Sequence, residues 1–289
     1  MGKLKCWVEA MRLRTLPVSV AGVVAATAYA LMAGCFDGAV TALCVIFAVL
    51  AQVASNFANE YYDYKAGLDA PGRVGPRRGV TEGDLTPASM KRATFITLAM
   101  ACIVGCSLIA WGGWWLIPVG LTIAVGVLAY STGPYPLSHH GLGEVAVVMF
   151  FGVIPVNMTF WLQSGTFDLS VALGSLAIGL MGANVLIVNN YRDLEADAAV
   201  GKRTLAVIAG RRCSSTLYLV NGWAAVILMF GVWPALPAWA MAVPAVYLTA
   251  HTLVWLRLIS RRGMALNPLL GATAVLMLLY AAGFLAAAI

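Results

Sequence analysis

The sequence predicts an all-α membrane protein: nine transmembrane helices in one bundle, with the N-terminus cytoplasmic and the C-terminus outside. Three observations predict it. The chain is 61% hydrophobic and only 10% charged over its 289 residues, where a soluble domain carries about 25% charged residues. With a mean hydropathy of +0.87, the chain has more apolar surface than its own core can bury, so lipid is its solvent. The apolar residues fall in charge-free runs of spanning length, and threading those runs back and forth puts all 18 Lys and Arg on one side.

The runs give the elements in order. The first two lie between Arg14 and Asp37 and between Asp37 and Glu60, each long enough for one span. The next, between Arg92 and Glu144, is more than twice as long and holds two helices that turn at "WGGWW". One run of single-span length precedes Asp168 and another follows it to Tyr191. The long run between Arg212 and Arg257 holds two more helices, turning near "WPALP", and a last span follows Arg262. A spanning helix needs about 20 residues at ~1.5 Å each. Nine helices result, near 16–36, 39–61, 92–110, 112–130, 144–163, 170–191, 214–232, 236–256 and 267–288, forming one domain over 1–289.

Orientation follows from charge. The basic residues lie before helix 1 and between helices 2 and 3, 6 and 7, and 8 and 9. Positive-inside bias makes that side cytoplasmic. The net charge of +6 is then mostly topology plus attraction to anionic headgroups, which argues against nucleic acid as a partner. No cleaved signal peptide is expected, since the first apolar run is long enough to span. "KLKCWVEAMRLR" reads as a short interfacial helix with Trp7 and Met11 toward lipid. The six Cys form no CxxC pair and read as small apolar packing. Trp111, Trp114 and Trp115 read as an aromatic belt at the outer interface.

Against this background two polar stretches stand out. "NEYYDYKAGLD" spans 59–69 and "NNYRDLEADAAVGKRTL" spans 189–205. Both begin Asn-x-Tyr-x-Asp, at Asn59 and at Asn189, where an even-numbered helix reaches the cytoplasmic side. Helices 2 and 6 run the same way, so a parallel repeat of four helices plus a ninth is expected. One Asp at a helix end is ordinarily a solvated headgroup-depth residue. Here Asn59 and Asp63 share a helical face, as do Asp193 and Asp197, each pair four apart. Gly67 is expected to end the helix and turn the chain back to Asp69. Asn56, Asn189 and Asn190 add amides, and Glu60 and Glu195 are expected off this face, solvated. Two clusters of hard oxygen ligands suit Mg²⁺ held against a phosphate-bearing substrate. Arg73, Arg77, Arg78, Arg192, Lys202 and Arg203 are near enough in sequence to grip the same anion, although topology alone accounts for each arginine equally well. The loop "APGRVGPRRGVTEGDLTP" is expected to cap the site, and the apolar bundle below has room for a long lipid tail.

At these residues the chain resembles the UbiA superfamily of intramembrane prenyltransferases. "NEYYDYKAGLD", "GRVGPRRG" and "NNYRDLEADAAVGKRTL" match the patterns of its 1,4-dihydroxy-2-naphthoate branch, and the likeness covers nearly the whole chain. The resemblance implies transfer of a polyprenyl group from an allylic polyprenyl diphosphate to 1,4-dihydroxy-2-naphthoate, with decarboxylation, giving demethylmenaquinone in menaquinone synthesis, in a bacterial cytoplasmic (inner) membrane. It implies Mg²⁺ held by Asn59, Asp63 and Asp69 and by Asp193 and Asp197, with Lys202 beside the catalytic aspartates. It implies substrate contacts from Asn56, Asn59, Asn189, Asn190, Arg73, Arg78 and Arg192. The loop "AYSTGPYPLSHHGLGE" resembles the family's loop between helices 4 and 5, which implies that Tyr130, Tyr135 and Glu144 border the acceptor. For the tyrosines, interfacial anchoring explains them as well. Asp69 or Glu144 would accept the phenolic proton, and both stay open. His139 and His140 are adjacent and lack a third ligand, so a loop contact or solvation is expected rather than a metal pair. The usual first motif of the superfamily has Asp where Gly67 stands, a departure that argues against the 4-hydroxybenzoate branch. The substrates are the only partners implied, apart from membrane lipid.

Rival readings stand beside this one. Intramembrane acids and a repeat also fit an ion-coupled transporter, but carriers place their polar groups near the midplane and these lie at one face. Another aromatic acceptor, such as 4-hydroxybenzoate, would keep the fold. A lipid-phosphate-binding protein without turnover would not need the full acidic set.

Overall fold

The structure, a computed structural model, describes residues 2–69 and 75–289. Its ordered elements are helices: α1 (Lys3–Met11), α2 (Leu16–Met32), α3 (Gly38–Lys65), α4 (Pro87–Ser107), α5 (Leu116–Ala129), α6 (Gly143–Ser164), α7 (Leu169–Ala199), α8 (Leu205–Leu228), α9 (Ala242–Ser260) and α10 (Asn267–Ala288). Among the described residues seven helical stretches are long and apolar enough to cross a membrane. They contain α2, α3, α4, α6, α7, α9 and α10. The remaining two, α5 and α8, stand where the fourth and seventh spans are expected. α5 has 14 residues, about 21 Å of rise, and α8 is broken by Gly210 at φ 78°.

The largest departures from the expected boundaries lie at the polar ends. α3 runs four residues past 61 and α7 eight past 191, so Asp63, Asp193 and Asp197 are helical, while Asp69 and Lys202 lie just past the helix ends. A charge-free run marks where apolar surface stops, whereas a helix stops where its backbone is capped. α4 begins at Pro87, five residues before the expected start, because Thr86 caps it by accepting from the Ser89 N–H and Pro87 tolerates the first turn. α8 likewise begins nine residues early, capped by Thr204.

The centre of the bundle is α2 against α7 and α10, where small residues bring backbones close. Ala21, Ala25, Ala26 and Ala28 of α2 are fully buried. A Cβ on Gly152 of α6 would lie 2.4 Å from the Gly179 Cα of α7. Larger rings pack elsewhere in the core, with Trp233 edge-on to Tyr280 and Phe284. The lipid side carries exposed Ile103, Leu121, Ile227, Val246 and Leu279.

α1 departs from expectation. Trp7 packs edge-to-face on Phe57 at 5.6 Å, and Cys6, Ala10 and Met11 join Val53, Phe57, Val80, Leu85 and Met90 in a small core. The amphipathic helix lays its apolar face on α3 and the following loop, because that apolar surface lies within reach. The cysteines also differ. Cys102 and Cys106 are exposed on α4 rather than packed. Three of the four loops expected to face outward meet at one end: Asp37 accepts from the Trp111 indole at 3.2 Å, and its backbone N–H donates to Gln163 at 2.9 Å.

Candidate active site

At the opposite end, α3 and α7 finish in the same way. After α3 the Gly67 N–H bonds the Tyr64 carbonyl and the Leu68 N–H bonds the Asp63 carbonyl, with Gly67 at φ 69°. After α7 the Gly201 N–H bonds Ala198 and the Lys202 N–H bonds Asp197, with Gly201 at φ 75°. Both are the paired C-terminal motif in which glycine takes the left-handed position. The expected helix break at Gly67 is therefore present. Registered on their caps, Asp63 matches Asp197 and Asn59 matches Asp193. The sequence match pairs Asp63 with Asp193 instead, so the two registers differ by one helical turn.

The first motif is gathered by charge. Asn59 donates to Asp63 at 3.0 Å and to Ser131 at 3.1 Å. Its oxygen accepts from Arg12 at 2.5 Å and Arg78 at 2.9 Å. Asp63, 1% exposed, also meets the His139 ring at 3.3 Å and Lys202 at 3.4 Å. Arg78 reaches Asp69 at 3.3 Å, Asp63 at 3.9 Å and Glu60 at 4.0 Å. In the second motif Arg192 forks onto Asp193 at 2.8 and 2.7 Å while binding Asn189 and Asn267. Asn190 donates to Glu144 at 2.8 Å. Buried carboxylates persist only when paired in this way. Strand-like pairing of His140 with Arg203 ties the loop after α5 to the segment that carries Lys202.

Most of these groups line a cavity of about 500 Å³, whose walls include Arg12, Asn56, Asn59, Arg77, Arg78, Tyr130, Glu144, Asn189, Asn190, Arg192, Asp193, Asp197 and Lys202; Asp63 is not on the wall itself but is bound to Asn59 and Lys202, which are. A second chamber, about 360 Å³ and almost wholly apolar, adjoins it between α3, α4, α5 and α6.

Most of the expected residues meet here, with exceptions. Tyr135 is exposed and stacks on His140 at 3.8 Å, outside the cavity. Its neighbouring ring holds it there. Asp69 lies behind Arg78 rather than on the cavity wall. Glu60 is not solvated but 1% exposed, accepting the Val80 N–H at 3.1 Å. It anchors the loop that carries Arg78. Glu195 is exposed and paired with Arg211, as expected of an outward position. Asn56 donates to the Met11 carbonyl and accepts from Gln52, so its first duty is to hold the turn before α2. Arg73 lies outside the described residues, while Pro76, Arg77 and Arg78 of the same loop form part of the wall. Two residues gain a site role that the sequence does not mark. Arg12 sits at φ 52°, a strained conformation for a non-glycine residue, and that strain aims its guanidinium at Asn59. His139 makes the loop contact that was expected of it, and the contact is with Asp63.

Among the described residues no three His, Cys, Asp or Glu side chains form a ready-made metal cage. The oxygens of Asn59, Asp63, Asp193 and Asp197 are nevertheless the hard donors that Mg²⁺ takes in ones and twos, completing its shell with phosphate and water. The donor chemistry fits.

The model of the UbiA prenyltransferase family matches residues 19–268. The 1,4-dihydroxy-2-naphthoate octaprenyltransferase of Mycobacterium tuberculosis is 35% identical over 283 residues, covering 97% of this chain and 96% of that protein. The enzyme of the same name from Escherichia coli K12 is 38% identical over 218 residues, 73% of this chain and 70% of that one. Among solved structures, an apo UbiA homologue from Aeropyrum pernix K1 superposes with a TM-score of 0.70 at 16% identity, covering 94% of this chain and 97% of that one. A UbiA homologue from Archaeoglobus fulgidus bound to GPP and Mg²⁺ gives 0.66 at 14%, covering 97% and 99%.

Proposed function

The chain belongs to the UbiA prenyltransferase family, and from that premise we propose that it transfers a polyprenyl group from an allylic polyprenyl diphosphate to 1,4-dihydroxy-2-naphthoate, with decarboxylation, in menaquinone synthesis. One observation carries the reading: two acidic helix ends and the cations Arg12, Arg78, Arg192 and Lys202 surround a polar cavity that adjoins an apolar chamber. That arrangement suits an amphiphile with a diphosphate head and a hydrocarbon tail. The full-length likeness to naphthoate octaprenyltransferases supports the acceptor. The protein is an integral membrane protein, and the basic end of the bundle with its cavity faces the cytoplasm of a bacterium.

Arg78 and Lys202 hold the diphosphate. Asn59 with Asp63, and Asp193 with Asp197, would hold Mg²⁺, which when bound neutralises charge on the leaving diphosphate. His139 and Lys202 hold Asp63, and Arg192 holds Asp193, so little reorganisation is needed as charge develops. The C–O bond breaks with its electron pair on the diphosphate. The apolar chamber keeps water from the allylic cation. A ring carbon of the naphthoate attacks, and loss of the carboxylate as CO₂ returns an electron pair to the ring. Glu144, fixed by Asn190 on the cavity wall, takes the hydroxyl proton as the ring attacks and returns it to that oxygen once CO₂ has left. Asp69 pairs with Arg78.

The test is turnover by purified protein in liposomes with Mg²⁺, a polyprenyl diphosphate and either 1,4-dihydroxy-2-naphthoate or 4-hydroxybenzoate. The expected product forms from the naphthoate alone and disappears with EDTA. Product only from 4-hydroxybenzoate would overturn the acceptor, and no product from either would overturn the reaction.

A further inference from the structure

The two cavities share five lining residues: Gln52, Ser55, Tyr130, Val147 and Phe151. A donor with its diphosphate in the polar cavity and its tail in the apolar chamber must place its first carbon at this neck. There the C–O bond breaks and positive charge appears, away from water. A desolvated cation is attracted to the face of an aromatic ring. Two neck residues are aromatic, and Phe151 is the one that no sequence motif singles out.

The way α6 holds Phe151 is unusual. Val148–Val153 is π-helical, with the Ile154 N–H bonding the Met149 carbonyl five residues back. Such turns recur at functional sites. Pro155 has no N–H to offer the Phe151 carbonyl. That carbonyl instead faces Gly22 of α2, where a Cβ would come within 2.9 Å of it. On the next residue, Gly152 meets the backbone of α7 directly at Gly179. Three glycines and a proline thus lock the one turn of α6 that carries the ring. An ordinary packing residue does not need such a seat, since a plain α-helix would pack with larger side chains.

We propose that Phe151 is a catalytic residue whose ring faces the allylic cation as the prenyl–oxygen bond breaks. The inference rests on the prenyl-transfer reading above. No proton or redox change is involved; the ring supplies only its π-electron face.

The test replaces Phe151 by phenylalanines bearing one, two and three fluorines, which drain the π-face while changing shape little. Single-turnover rates of prenyl transfer are measured, so that the chemical step is read. The expected result is a stepwise fall in log rate with each fluorine, reaching roughly tenfold or more at three, with Kd for the polyprenyl diphosphate unchanged. Phe151→Leu falls at least as far, and Phe151→Tyr is rescued to within a few-fold of wild type. A flat rate across the fluorine series, with active wild type, overturns the role of Phe151 alone. An inactive wild-type protein overturns the prenyl-transfer reading and this one with it.

Discussion

Arg78 offers the sharpest test of how the site is built. Its side chain is 8% exposed and touches four groups: Asn59 at 2.9 Å, Asp69 at 3.3 Å, Asp63 at 3.9 Å and Glu60 at 4.0 Å. At an effective dielectric of ~20, an ion pair at 3.3 Å is worth about 5 kcal/mol of gross attraction, and the two longer pairs about 4 kcal/mol each. Most of that offsets the cost of burying the charges. What Arg78→Gln exposes is the remainder, because Glu60 and Asp69 stay inside without the Arg78 charge; removing one partner of a buried pair typically costs about 3–5 kcal/mol. At ~2.1 cal/mol/K per residue, the unfolding entropy of this chain is about 0.6 kcal/mol/K, which converts the loss to a fall in Tm of roughly 5–8 °C. Arg78→Lys keeps a charge but not the fork, reaches fewer of the four groups, and should fall by about half as much. The assay is thermal unfolding in detergent beside turnover. Both variants lose turnover, because Asn59 and Asp63 lose a common clamp. An Arg78→Gln protein melting within about 1 °C of wild type would refute the reasoning.

Asp63→Asn and Asp193→Asn should each lower kcat by about 10³-fold or more while still inserting into membranes; retained activity in both would sink the two-cluster model. Gly152→Ala should be far more damaging than Gly231→Ala in thermal unfolding, because its Cβ meets α7 backbone at 2.4 Å while nothing lies within 4 Å of the other. Equal effects would mean that α6 and α7 do not pack backbone to backbone. Asp168 caps α7, and the Ser170 hydroxyl, with backbone N–H groups, holds its carboxyl below the usual carboxylate range. A depressed carboxyl contributes stability above its unfolded pKa near ~3.9 and loses it as pH falls through the folded value. Asp168→Ala should therefore cost ~1 kcal/mol at about pH 7, about 2 °C, and the gap to wild type should close below about pH 3. A constant gap would count against the cap.

Composition and charge runs alone decide that this chain is helical and lives in lipid, because twenty apolar residues in a row have no other stable solvent. The same one-dimensional pattern marks Asn59–Asp69 and Asn189–Leu205, since carboxylates beside a membrane span stand out against 61% hydrophobic residues. Even the break at Gly67 is legible, because local backbone sterics allow only glycine that turn at low cost. The contacts between distant elements are not legible. Trp7 turning toward Phe57, Glu60 buried under Val80 and Tyr135 stacked outside on His140 depend on which surfaces meet, and periodicity carries no address. Arg12 looks like one more topological charge until α1 folds over α3 and brings it to Asn59. Phe151 is one apolar residue among many until a π-turn, held by Pro155 and by glycines where α6 meets α2 and α7, places it on the wall that the two cavities share. Local chemistry writes the polar groups into the sequence; only packing, in which side chains far apart in the chain must share space and cancel charge, decides which of them meet.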